Sequence, residues 1–196
     1  RGAGMRPDSV PDRDPFEVRL ATPGDVAGLE ELIPHSVRAL SRSVYSAEQI
    51  ESAIRYVFGV DSQLIADGTY FVVTSGDRTA GCGGWSRRRT LFGADKMKEG
   101  TDPLLDPATE PARIRAFFIH PDFARRGVGA RLLGHCVAEA GRAGFRALEL
   151  MATLPGVPLY TRFGFTVQEP VTPVLPDGVL LPMVRMGRKL EAAAAG

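Results

Sequence analysis

Residues 119–133 contain the pattern of greatest chemical interest, in which an apolar run is followed by a turn and then by a helical apolar stripe. Gly127 and Gly129 stand at the predicted helix start. Glycine lets the backbone approach an anion there, and the free N–H groups and the helix dipole favour a pyrophosphate. Arg125 and Arg126 add positive charge at the same end. The pattern predicts a phosphate-binding turn, although a tight and well-packed turn would use the same two glycines.

Two better-known phosphate motifs do not fit this stretch. A P-loop needs Gly-Lys followed by Ser or Thr, a sequence that is absent from the chain. A dinucleotide-binding turn needs a third glycine where Leu132 stands. Both motifs are therefore set aside.

Tyr160 is the second residue whose position suggests chemistry. It lies in a short predicted helix, 157–162, that ends just before Gly164 and Phe165. A tyrosine hydroxyl can act as a general acid. An aromatic residue at the edge of the core, with its hydroxyl in water, would show the same local pattern.

These residues need a scaffold, and apolar periodicity predicts a mixture of strands and helices. The predicted strands are 16–20, 70–74, 79–87, 113–119, 147–151, 165–168 and 179–187, and the predicted helices begin near Thr22 and Ser46 and cover 127–142 and 157–162. The first helix is expected to break at Pro34, which leaves a polar connector at 35–45. Residues 91–111, the flap, show little periodicity and are expected to form a binding loop. This order of elements predicts an α+β (mixed α/β) fold.

Length and composition indicate one soluble domain. The 196 residues have a formal net charge of +1 and no long cationic run, which argues against a nucleic-acid partner. No stretch approaches the roughly 20 apolar residues of a membrane span, so we expect a cytoplasmic protein without membrane association. Cys82 and Cys136 lack metal-ligand spacing, which predicts two buried thiols and no metal site. We expect a domain at 15–190 with flexible tails at 1–14 and 191–196.

Together the two motifs resemble those of the GNAT superfamily of acetyl-CoA-dependent N-acetyltransferases. The run from Ala124 to Gly129 matches that family's Gln/Arg-x-x-Gly-x-Gly/Ala motif except at its first position, where Ala124 removes one side-chain contact. The run from Pro158 to Phe165 is similar to the second motif, a short helix bearing Tyr that ends in x-Gly-Phe. The resemblance covers roughly 16–188. It implies a single domain whose central, mostly antiparallel mixed sheet is splayed between the fourth and fifth strands and flanked by helices.

The resemblance also implies a reaction, in which a primary amine attacks the thioester of acetyl-CoA directly. Tyr160 is implied as the general acid that protonates the departing thiolate, and Thr153 stands where the family commonly has Asn. The residues implied to bind acetyl-CoA are Phe118, Ile119, Arg125, Arg126, Gly127, Val128, Gly129, Ala130, Thr153 and Tyr160.

The general base stays open at this point. Some family members carry a Glu in the fourth strand, at a position that is Arg113 here. Glu110, His120 and His35 are alternatives, as is an ordered water.

The family layout implies an acceptor pocket formed by the helix connector, the hairpin and the flap. His35, Tyr45 and Trp85 are its candidate lining residues, and plain core packing is an equal alternative for Trp85. The acceptor is a small-molecule or protein amine, and a homodimer is an open alternative. Two other hypotheses are a catalytically inactive CoA-binding regulatory module, which Ala124 and Arg113 suggest, and an interaction domain without a CoA site.

Overall fold

The computed structural model describes residues 15–98 and 100–191, and its centre is a seven-stranded sheet of order β1-β2-β3-β4-β5-β7-β6. The strands are Glu17–Leu20 (β1), Tyr70–Ser75 (β2), Arg78–Ser86 (β3), Ala112–Ile119 (β4), Ala147–Thr153 (β5), Thr166–Val171 (β6) and Met183–Lys189 (β7). The α-helices are Val26–Ser41 (α1), Ala47–Tyr56 (α2), Ser62–Ala66 (α3), Val128–Arg142 (α4) and Val157–Arg162 (α5). The predicted tails, except Glu191, lie outside the described residues.

The predicted α+β fold with a splayed sheet is confirmed. Neighbouring strands run antiparallel except β4 and β5, which run parallel. These two pair only where Ala112 faces Leu148 and Arg113 faces Glu149, so the rest of β4 separates from β5. The Arg113 guanidinium donates to Glu149 Oε2 at 2.8 Å, which ties the strands together where the gap begins.

The sheet is covered on both faces, as the alternation of side chains along β2 shows. Val73 belongs to a core cluster with Leu132 and Cys136 of α4, whereas Val72 belongs to a second cluster with Leu29 of α1. Successive strand residues point to opposite faces, so α4 covers one face and the α1–α2 pair covers the other. No helix of the described part of the chain is long and apolar enough to cross a membrane.

The expected break of the first helix at Pro34 is wrong. Pro34 lies inside α1, which continues to Ser41. A proline inside a helix removes one backbone hydrogen bond and costs about 3 kcal/mol. Here Ile33 before the proline and Val37 and Ser41 after it are all buried. This tertiary burial outweighs the local cost. The predicted connector at 35–45 is therefore helical over most of its length.

Elsewhere, the predictions from local sequence patterns agree more closely with the structure. Ser46 caps α2 as predicted: its hydroxyl accepts from the Gln49 N–H at 3.1 Å, and Gln49 Oε1 accepts from the Ser46 N–H at 3.0 Å. The last strand begins at Met183, later than predicted, because a turn at Gly178 pairs Val174 with Leu180 in an isolated bridge.

We expect both cysteine thiols to be unreactive in the folded protein. Cys82 and Cys136 are fully buried. Burial raises the pKa of Cys82 to about 12 and raises the pKa of Cys136 as well, so neither forms the reactive thiolate near neutral pH. An aromatic disulfide reagent should titrate no thiol in buffer and both thiols in guanidinium chloride. Titration of either thiol in the native protein at the rate of a free cysteine would contradict the buried arrangement.

Candidate active site

The centre of the site is a β-bulge in β4. Cys82 pairs with Phe118 and Gly84 pairs with Arg115, so two residues of β4 stand opposite Gly83 alone. One of them, Ala116, has a φ of 56°, in the left-handed region. The extra residue reverses the alternation of side chains: Ile114 belongs to the core cluster under α4, whereas Phe118 packs against the cluster under α1 and α2.

Two neighbouring features hold the bulge in place. A Cβ on Gly83 would overlap the Phe117 ring and would lie 2.8 Å from Leu132, so only glycine fits opposite the bulge. The fully buried Tyr70 donates its hydroxyl to the Ala116 carbonyl at 2.9 Å. In a trans peptide the next N–H points away from that carbonyl, so Tyr70 also fixes the direction of the Phe117 N–H.

Beyond the bulge, the backbone of β4 faces the gap. The His120 N–H donates to the Ala80 carbonyl of β3. Hydrogen-bonded and non-bonded positions alternate along an antiparallel ladder, so the N–H and C=O of Ile119 point to the opposite edge. Phe118 contributes differently from the prediction, because its carbonyl faces Cys82 Sγ at 3.8 Å. Ile119 therefore offers backbone groups to the gap, and Phe118 does not.

The predicted phosphate turn lies between β4 and α4. Arg125 has a φ of 61° and Gly127 a φ of 84°, and both residues are exposed. The Arg131 N–H donates to the Gly127 carbonyl. The N–H groups of residues 128–130 therefore precede the first bond of the helix and have no partner within it. The Arg126 guanidinium lies 5.4 Å from the ring centres of Phe16 and Phe123, which keeps its charge beside the turn.

The two glycines of this turn have different roles. A Cβ on Gly127 would meet nothing within 4 Å, so its requirement is the left-handed backbone. A Cβ on Gly129 would lie 3.0 Å from Leu159 of α5, so this glycine allows two helices to pack closely. The role of either glycine in the approach of an anion stays a prediction.

A cavity of about 70 Å³ lies where β4, β5, the flap and the end of α2 meet. Its lining residues are Val57, Phe58, Gly59, Leu91, Phe92, Gly93, Ala94, Ile114, Arg115, Ala116, Phe117, Phe118, Met151, Thr153, Tyr160 and Met183. The structure thus brings together three of the predicted residues, Phe118, Thr153 and Tyr160, with the bulge.

Tyr160 is held by aromatic neighbours. It is 9% exposed, and its ring centre lies 6.2 Å from that of Phe117 and 6.0 Å from that of Phe165. Burial raises the pKa of its hydroxyl, with a smaller contribution from Cys136. No hydrogen-bond partner of this hydroxyl is found within residues 15–98 and 100–191. The site therefore contains a protonated phenol at the cavity wall whose proton is not engaged by the protein.

A buried charge cluster beside the cavity escaped the sequence analysis. Arg115 donates to Asp61 Oδ2 at 2.8 Å, and Lys98 donates to Asp61 Oδ1 at 2.6 Å. Asp61 and Arg115 are almost wholly buried. The same guanidinium donates to the carbonyls of Thr90 and Gly93, which fixes the beginning of the flap against β4. The one sequence signal was Arg115 itself, a charge inside a strand that is otherwise mostly apolar after Arg113.

The three candidate acceptor-pocket residues lie outside this cavity. Trp85 is 2% exposed and donates to Glu139 of α4 at 2.9 Å, in the core under that helix. The Tyr45 hydroxyl donates to the Pro182 carbonyl at 2.6 Å and accepts from the Leu154 N–H, so it links distant segments. His35 lines a separate groove. Trp85 thus takes the core-packing role, because α4 supplies an acceptor for its indole N–H.

The candidate general bases are also engaged elsewhere. Glu110 accepts from the Asp106 N–H at 2.7 Å. His120 Nδ1 accepts from the Asp122 N–H, and the His120 ring lies 5.2 Å from that of His35. None of these side chains lines the cavity beside Tyr160. In the described ranges, no group of three or more His, Cys, Asp and Glu residues could hold a metal ion.

The described chain thus combines a splayed mixed sheet, an exposed glycine turn at the start of α4 and a buried tyrosine beside the cavity. Residues 35–165 match the sequence model of the acetyltransferase (GNAT) family, which is more than half of the chain. The chain therefore belongs to this family. No curated protein matches the sequence.

Solved structures share the fold at low identity. A GCN5-related N-acetyltransferase from Rhodopseudomonas palustris is 21% identical, with a TM-score of 0.66 over 89% of this chain and 95% of that chain. A Salmonella typhimurium protein described as an acetyltransferase, solved with its cofactor acetyl-CoA, is 19% identical, with a TM-score of 0.60 over 93% and 98%. The PaiA N-acetyltransferase from Thermoplasma acidophilum, in complex with coenzyme A, is 15% identical, with a TM-score of 0.60 over 89% and 98%.

We expect Tyr70→Phe to destabilise the protein by about 1–3 kcal/mol, because the Ala116 carbonyl loses its buried donor. Urea unfolding measures this change. Tyr56→Phe is the matched control, since the Tyr56 hydroxyl is without a hydrogen-bond partner in the described part of the chain, and it should shift stability by less than about 0.5 kcal/mol. Equal effects of the two substitutions would show that the hydroxyl does not hold the bulge.

Proposed function

We propose that the chain is an N-acetyltransferase that transfers the acetyl group of acetyl-CoA to a primary amine by direct attack on the thioester. The observation that carries the proposal is the cavity at the β4 bulge, where Thr153 and a protonated, unengaged Tyr160 meet. The gap between β4 and β5 connects this region of the sheet to the exposed turn at Gly127.

The residues present fit acetyl-CoA. The N–H groups of 128–130, with Arg125 and Arg126 nearby, would hold the pyrophosphate at the helix start. The backbone of Ile119 would bond the pantetheine arm in the gap, and Thr153 would offer its hydroxyl close to the reacting end. The cavity of about 70 Å³ has room for an acetyl group beside the bulge. The co-substrate supplies the activated acyl carbon.

Tyr160 would donate the proton that the leaving sulfur gains. In the reaction the amine nitrogen bonds to the acyl carbon, the carbon–sulfur bond breaks, and the nitrogen loses a proton while the sulfur gains one. Burial raises the pKa of Tyr160, and a free thiol has a pKa of only about 8.5. Proton donation from a separate tyrosine hydroxyl to a separate thiolate is therefore unfavourable. The proton transfer consequently accompanies cleavage of the carbon–sulfur bond.

Release of free CoA thiol from acetyl-CoA, measured over a panel of primary amines, tests the proposal. The two buried cysteines should not interfere with a thiol reagent in this assay. Acetylated product and thiol should appear in equal amounts with at least one amine. A CoA-binding protein without catalytic activity would release no thiol with any amine, and that result would overturn the proposal.

We expect Tyr160→Phe to lower kcat by about 10²–10⁴, the usual effect of removing a general acid. Acetyl-CoA affinity should change little, because the ring keeps its contacts with Phe117 and Phe165. Steady-state thiol release and a thermal shift with CoA measure the two quantities, with Tyr56→Phe as the control. A kcat within about threefold of the parent, with chemistry limiting the rate, would exclude Tyr160 as the acid.

A further inference from the structure

The sheet face that carries the cavity continues beyond it along β5 and β7. Met151 and Met183 line the cavity, and Arg185 follows two positions after Met183 in β7. Successive strand residues alternate between faces, so Arg185 projects from the same face as Met183. The register agrees, because Arg185 stands opposite Met151 of β5. The guanidinium of Arg185 therefore belongs to the surface next to the cavity.

Charged residues of alternating sign cross this face of the sheet. Arg113 of β4 donates to Glu149 of β5 at 2.8 Å. One terminal nitrogen of Arg185 in β7 lies 3.2 Å from Glu169 Oε1 in β6. The side chains of the first pair are 14% and 21% exposed, whereas those of Arg185 and Glu169 are 36% and 53% exposed. The first pair is thus held within the sheet, and the second pair is open to solvent.

The second pair leaves most of the Arg185 guanidinium unused. A guanidinium has five N–H donors, arranged to bind a carboxylate through two parallel hydrogen bonds. Only a terminal nitrogen faces Glu169, and Arg185 Nε is buried without a hydrogen-bond partner in the described part of the chain. A buried N–H without an acceptor is unfavourable, and an ion pair between exposed side chains contributes little. The protein therefore does not fix this guanidinium, and a second carboxylate would satisfy donors that Glu169 leaves free.

The surroundings of Arg185 also favour an anion. Burial lowers the pKa of Arg113, and the nearby charge of Arg185 acts in the same direction. The two guanidinium groups are thus close enough to repel each other. Glu149 is bonded to Arg113, so a carboxylate from a ligand would supply the negative charge that Arg185 lacks on this side.

Strand geometry sets the distance between Arg185 and the reacting centre. Thr153, which lines the cavity together with Tyr160, stands opposite Met183. Arg185 lies two residues farther along β7, which corresponds to about 7 Å along the strand. An extended chain of about four carbons between an amino group and a carboxylate spans such a distance.

We propose, on the basis of the N-acetyltransferase function proposed above, that the acceptor is a primary amine that also carries a carboxylate, and that Arg185 binds this carboxylate. The amino group reaches the acyl carbon beside Thr153 and Tyr160. The carboxylate lies on the open sheet face and takes the place of Glu169 at the guanidinium. Arg185 is thus a specificity-determining residue, which binds the acceptor and takes no part in the bond changes at the acyl carbon.

The acid δ-aminovalerate and its amide, δ-aminovaleramide, form a matched pair of probes, because they have the same chain and amine and differ in the charge at the far end. With purified protein and acetyl-CoA, kcat/KM from thiol release should be at least about tenfold higher for the acid, the usual effect of a hydrogen bond to a charged group. Equal use of the two amines, or preference for the amide, would overturn the inference and leave the proposed function standing.

Arg185→Met and Glu169→Gln distinguish acceptor binding from a structural role of the ion pair. Both substitutions remove a pair of exposed side chains, so both variants should fold. In Arg185→Met the preference for the acid should fall to within about twofold, while kcat/KM for the amide and CoA affinity stay unchanged. Glu169→Gln should retain at least the preference of the parent, because the guanidinium loses its competing carboxylate. An equal loss of preference in both variants, or an unchanged preference in folded Arg185→Met, would show that Arg185 does not bind the acceptor.

The wider panel of primary amines separates the two possible failures. Thiol release with another amine but with neither probe would overturn the inference, because δ-aminovalerate meets all its requirements. Absence of thiol release with every amine would overturn the proposed function itself.

Discussion

The incomplete pairing of β4 with β5 is the constraint on which the rest of this site depends. A strand inside a sheet normally has its N–H and C=O groups bonded on both edges. Here pairing stops after Arg113 and Glu149, and their ion pair marks the last point of contact. Beyond it, the backbone at Ile119 faces the gap, while β3 satisfies the other edge of β4. The gap can therefore bind a ligand through main-chain groups without any dedicated side chain.

The bulge converts this gap into a site. One extra residue in β4 bends the strand and reverses the alternation of its side chains, so Arg115 and Phe118 both reach the cavity. Such a bulge is strained at Ala116, and the surroundings must hold it. Gly83 provides the space and Tyr70 provides the hydrogen bond. Tyr70 acts from β2 and Gly83 from β3, so both lie on the side of β4 away from the gap.

The buried charge cluster links the flap to the same strand. Breaking a buried pair by removing one partner is strongly destabilising, since the remaining charge is left without compensation. Asp61 is fully buried between Arg115 and Lys98, and Arg115 also binds the flap backbone at Gly93. The position of the flap over the cavity is thus coupled to the bulge through one guanidinium. This arrangement accounts for a loop of low periodicity that nevertheless forms a defined cavity wall.

The sequence by itself determined the features that rest on neighbouring residues. The cap of α2 at Ser46, the glycine turn before α4 and the helix of Tyr160 all follow from interactions within a few positions, and all were predicted. The family resemblance added the splay of the sheet. Short-range hydrogen bonds and backbone preferences are encoded locally, so their patterns are visible in a single chain.

Only the tertiary structure decided which side chains share the cavity. Asp61 and Arg115 are 54 positions apart, and nothing local marks them as partners. Helix α1 continues through Pro34 because burial outweighs a local cost, and Trp85 turns to the core because Glu139 of α4 accepts its N–H. Gly129 serves packing against Leu159, a contact between separate helices. Each of these outcomes depends on what lies opposite in space, which spacing along the chain does not specify.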